Sequence, residues 1–147
     1  MRKQIYLLLL IVPIWFAIAS KALAEKYHGE YCFQTFNIDG QPFWTYNFGV
    51  YEKVGGHLTI FGSIDYGANG ISAVHGNAII VGNKIKLTIV SADFEEQEEE
   101  VWGETLTATL DVSTLNGEWN ALSLVTEDSI NAFPVFQKGT INRISCS

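Results

Sequence analysis

Beyond its first two dozen residues the chain has no apolar run of the roughly 20 residues that a bilayer-spanning helix needs. It also has no segment of sustained helical period. The first absence excludes a helical membrane domain after Glu25. The second excludes the crossover helices on which parallel sheets depend. Several motifs of catalysis and cofactor binding are missing too: a phosphate-cradling Gly-rich loop ahead of a helix, Gly-x-Ser-x-Gly, His-Glu-x-x-His and paired Cys-x-x-Cys. No Asn-x-Ser/Thr sequon occurs, so N-glycosylation is not expected. Basic residues are scarce, 9 Lys and Arg against 16 Asp and Glu. Cysteine is scarcer still, at two.

The apolar residues missing elsewhere are concentrated at the start. Met1-Arg2-Lys3 is a short basic opening, Ile5 to Ile18 is apolar apart from Pro13, and Ala22-Leu23-Ala24 places small residues where a signal peptidase reads. These parts in this order describe a signal peptide over residues 1–24, with cleavage before Glu25. An uncleaved anchor is the alternative, and the shortness of the apolar stretch argues against it. No cysteine at the cleavage point invites a lipid. The expected compartment is periplasmic or extracellular, and residues 25–147 are expected to form a single domain. Arg2, Lys3 and Lys21 leave with the signal, so six bases then face all 16 acids, a formal charge of −10. Such a charge repels nucleic acid and anionic lipid and attracts a basic protein. In an oxidising compartment Cys32 and Cys146 are expected to form one disulfide, two buried free thiols being the alternative.

From Glu25 onward apolar and polar residues alternate. Leu106, Ala108, Leu110 and Val112, with Trp102, alternate with Thr105, Thr107, Thr109 and Asp111; Glu104 alone falls on the wrong side. Trp44, Tyr46, Phe48 and Val50 form one face of another run, Leu58, Ile60, Ile64 and Tyr66 of a third, and Ile85, Leu87 and Ile89 of a fourth. One wet and one dry face is the mark of antiparallel sheets. Asp39-Gly40, Gly55-Gly56, Asn69-Gly70, Gly82-Asn83 and Asn116-Gly117 are turn-forming pairs between the runs. They divide the chain into about eight strands, at residues 29–36, 43–52, 57–66, 72–81, 84–91, 101–112, 117–125 and 135–144. The expected fold is all-β, an antiparallel eight-stranded meander closed into a small barrel, with a two-sheet β-sandwich as the alternative. On closure the first and last strands run antiparallel, which brings Cys146 beside Cys32 to pin the seam.

The export signal, the meander, Gly29-Glu30-Tyr31 and Gly117-Glu118-Trp119 together resemble the small calycin-type barrels, the lipocalins and avidins. The resemblance is architectural. It implies an exported ligand-binding barrel and transfers no binding residue. The avidin side is the nearer likeness, since no helix follows the last strand.

Trp44, Tyr46, Phe48, Tyr66 and Trp102 are large aromatics on dry faces, either core or the lining of a ligand cavity. Phe33, Phe43, Tyr51 and Phe61 fall on expected outer faces and form a candidate association patch. His28, His57 and His75 lie in separate strands or turns, too scattered for a zinc site. Glu95, Glu96, Glu98, Glu99 and Glu100 form the one charge run, a solvated hairpin loop, a docking patch for a basic protein or a cation site. No catalytic residue, metal or cofactor is assigned. The leading expectation is a non-enzymatic barrel binding a small apolar ligand. A protein-binding module, such as an inhibitor of a basic hydrolase, comes second and an enzyme third.

Overall fold

A computed structural model describes residues 26–53, 56–95, 100–127 and 131–146. The expected signal segment and Glu96 to Glu99 lie outside them, as does the side chain of Trp102. Among the described residues eight strands follow one another with one short 3₁₀ turn between them: β1 Lys26–Asn37, β2 Pro42–Glu52, β3 Leu58–Asp65, β4 Ile71–Val81, β5 Lys84–Glu95, β6 Glu100–Asp111, β7 Gly117–Glu127 and β8 Asn131–Ile144. The turn pairs fall between them as expected. Gly82, for example, takes φ 63° in the two-residue connection from β4 to β5, a region that L side chains rarely adopt.

Each strand pairs antiparallel with its sequence neighbour, and β1 pairs with β8, so the sheet closes into a barrel. That last ladder decides against the sandwich. It is also the shortest, six residue pairs from Cys32↔Ile144 to Asn37↔Gly139, against eight or more in every other ladder. The Cys32–Cys146 disulfide lies where it stops, with the two Cα atoms 5.2 Å apart.

Closing so small a sheet requires sharp bends. A Cβ on Gly76 would come within 2.1 Å of the Thr88 carbonyl oxygen, and one on Gly139 within 1.8 Å of the Phe36 carbonyl oxygen. Only glycine admits that approach of backbone to backbone, and glycine kinks let a sheet curl shut. Inside, Phe48, Ile60, Ile64, Val74, Leu87, Ile89, Leu106, Leu110 and Ile141 are buried, contributed by alternate residues of six strands.

Phe33 corrects the expected outer set. It is buried at 2 % exposure and stacks on Phe48 with ring centroids 5.3 Å apart. The register of β1 shifts twice, between Tyr27 and Gly29 and between Gln34 and Phe36, so simple alternation does not carry through that strand. Phe43 and Phe61 are exposed. Tyr51 is half-buried against Tyr27 and Phe61, at 5.0 and 6.2 Å between centroids.

Candidate functional site: an apolar cavity at the disulfide end

The barrel interior has two unlike halves. Toward the β1–β2 and β3–β4 turns the described interior side chains are largely aromatic and polar, and they pack and hydrogen-bond to one another. Trp44 meets Tyr66 edge-on at 5.2 Å and lies 6.2 Å from Trp119, whose indole N–H donates to the Phe36 carbonyl at 3.0 Å. The Tyr46 hydroxyl donates to Glu104 Oε1 at 2.9 Å and the Ser123 hydroxyl to Oε2 at 3.1 Å. Tyr66 and Ser91 share a further hydrogen bond of 2.9 Å. Glu104, a misfit in the alternation, therefore faces inward and is satisfied by two hydroxyls. Burial pushes its carboxyl above the usual range and these two hydrogen bonds oppose the push. Burial first, and the Glu104 charge second, raise the Tyr46 phenol well above its ordinary value.

The half toward the disulfide contains a cavity of about 340 Å³, open on one side. Phe33, Phe48, Ile60, Leu87 and Leu110 are its buried walls, and at its rim Ile80 and Val112 are exposed and Leu115 is half-buried. The rim is built by the β6–β7 turn. Asp111 Oδ1 accepts the backbone N–H of Ser113 at 2.9 Å as well as the Ser113 hydroxyl, and its own carbonyl accepts the Leu115 N–H at 2.8 Å. The Ser113 hydroxyl and backbone bonds hold the Asp111 carboxyl down at about 2. Leu115 takes φ 58°, the one positive φ among the described non-glycine residues. A left-handed leucine costs on the order of 1–3 kcal/mol and persists only where its surroundings fix it. Here that conformation accompanies a side chain packed onto the barrel core at the cavity rim.

Three polar side chains reach the mouth, His28, Tyr31 and Arg143. His28 Nε2 lies 2.7 Å from Glu52 Oε2. The Arg143 guanidinium sits over the Tyr31 ring, 5.3 Å from its centroid.

Of the expected cavity residues with described side chains, Phe48 alone lines this space; Trp102 lies outside the described side chains. Trp44, Tyr46 and Tyr66 pack toward the opposite end. Most of the lining is aliphatic, and the sequence placed Leu58, Ile60, Ile85, Leu87 and Leu110 on dry faces without distinguishing them from core. The histidines stay apart. His75 points outward on β4, between Phe61 and Val90 of the adjoining strands, and does not meet Glu104. Among the described residues no three His, Cys, Asp or Glu side chains gather as a metal site would need. Comparison with protein families, with curated proteins and with solved structures finds no match to this chain.

Proposed function

We propose that the chain is an exported, non-enzymatic barrel that binds a small apolar molecule in the cavity at the disulfide end. The observation that carries this reading is the cavity itself, an apolar space left open at the disulfide end of the barrel. Its volume is at the low end of the 300–1,000 Å³ usual for ligand pockets. Aliphatic walls with a few polar groups at the rim are the common composition of such pockets. The strained Leu115 adds weight, since backbone strain is concentrated at functional sites. The likeness to calycin-type barrels is one of architecture and points the same way. Export is supported by the disulfide, which oxidising compartments favour. The described interior is apolar apart from Thr35, Ser72, Ser91, Glu104 and Ser123, and Lys86, Thr107, Glu118, Asn120 and Lys138 face solvent. A transmembrane barrel has a polar interior instead.

Ala78 gives a direct test. It is buried, lines the cavity and faces open space. Ala78→Phe should fill that space, abolishing enhancement of a neutral apolar dye such as N-phenyl-1-naphthylamine with little change in melting temperature. Undiminished dye binding by a folded Ala78→Phe protein would refute the site.

A further inference from the structure

Among the described residues, the cavity mouth holds one cation that no acid neutralises. Arg143 lies directly across the β1–β8 ladder from Phe33. Paired residues of an antiparallel ladder project to the same face, and Phe33 is an inward residue, so Arg143 belongs to the inner face, at the rim. Two contacts fix its position. Its backbone N–H donates to Asn116 Oδ1 at 2.9 Å, and its guanidinium rests on Tyr31. His28, the other basic group of the lining, is engaged by Glu52. Lys84 pairs with Asp111 on the outside of the barrel, at 3.5 Å. Among the described residues no carboxylate lies within ion-pair distance of Arg143, although acids outnumber bases 16 to 9 in the chain.

A guanidinium stacked on a ring keeps its N–H edges free, and those edges match the paired oxygens of an anionic head. We infer that the ligand is a small amphipathic anion, its apolar body in the cavity and its carboxylate-type head on Arg143. This rests on the cavity-binding reading above and adds to it a head group and the residue that reads it. Arg143 is then the specificity-determining residue, and the aliphatic walls supply affinity without discriminating between heads.

The test compares three ligands with one tail, decanoate, decan-1-ol and decyltrimethylammonium, by calorimetric titration of the disulfide-intact protein. Decanoate should bind at least about tenfold more tightly than decan-1-ol, in line with a charge-assisted hydrogen bond. Decyltrimethylammonium should bind most weakly. Arg143→Gln should erase the decanoate advantage and leave decan-1-ol unchanged, and Arg143→Lys should keep part of it by retaining the charge. Equal binding of decanoate and decan-1-ol by the unaltered protein, or an advantage that survives Arg143→Gln, overturns the inference and leaves the cavity reading standing. Tighter binding of the ammonium also overturns it. If none of the three binds, the cavity reading falls and the inference falls with it.

Discussion

Removing the disulfide should cost this barrel about as much as the most damaging core truncations. Cys32 and Cys146 are 114 residues apart. For a loop of that length the chain-entropy relation assigns about 4.8 kcal/mol of lost unfolded-state entropy at 25 °C. The structure gives the link a local role as well. The β1–β8 ladder is the shortest in the barrel, and it ends at Cys32. The earlier residues of β1, Lys26 to Tyr31, have no partner on β8. The disulfide is thus the last tie before the seam opens, and the cavity mouth lies there. The assay is urea unfolding of the Cys32→Ser/Cys146→Ser double variant against the oxidised protein, with the free thiols removed so that none can cross-link. With an m-value near 2 kcal/mol per molar urea, the midpoint should fall by about 2.4 M. Against a total stability of about 5–15 kcal/mol, the variant becomes marginal. Dye binding at the cavity should weaken even in the absence of urea. A midpoint shift below about 0.5 M with unchanged m would show that the six ladder pairs hold the seam unaided, and the reasoning would be wrong.

Leu106, fully buried on β6, and Thr107, its exposed neighbour, report on opposite faces. Leu106→Ala should cost about 2–5 kcal/mol in the same unfolding assay and Thr107→Ala less than about 0.5 kcal/mol, and equal costs would contradict the register. Burial raises the Glu104 carboxyl in the folded state, so the native protein holds that proton to higher pH than the unfolded chain does. Stability should therefore decline as pH rises from 4.5 through the folded value. Glu104→Gln should lack that decline and be no less stable at neutral pH, as thermal melts across the pH range would show; a variant that keeps the decline would assign it to another group. Replacing Glu98, Glu99 and Glu100, the run that the sequence reads as a solvated hairpin loop, by Gln should leave the melting temperature unchanged, because exposed charges contribute little to stability.

Much of the barrel is written in local pattern. Period-two alternation marks the strands, Gly and Asn pairs mark the turns, and the cysteines lie where closure would bring them together. The limits of that reading come from three physical causes. Bulges in β1 reset the inward face, and Phe33 changes side with them. Glu104 looks like an error of alternation until Tyr46, 58 residues earlier, and Ser123, 19 residues later, arrive to bond it. The cavity is hidden for a deeper reason. Alternation tells which side chains point inward, but whether the interior is full depends on the volumes that meet across it. Those volumes are set by the stagger between strands, which places Val74, Ser91, Glu104 and Ser123 across one another in neighbouring strands. Aromatic residues seemed the natural lining of a pocket because they are large and apolar. Their size works against that role here. Trp44, Tyr46, Tyr66 and Trp119 pack on one another and on hydrogen-bonding partners where they project, and the described cavity lies where the inward residues are chiefly Leu, Ile, Val and Ala. In a barrel this small, an aliphatic stretch on a dry face is therefore the better sequence marker of a cavity than an aromatic one.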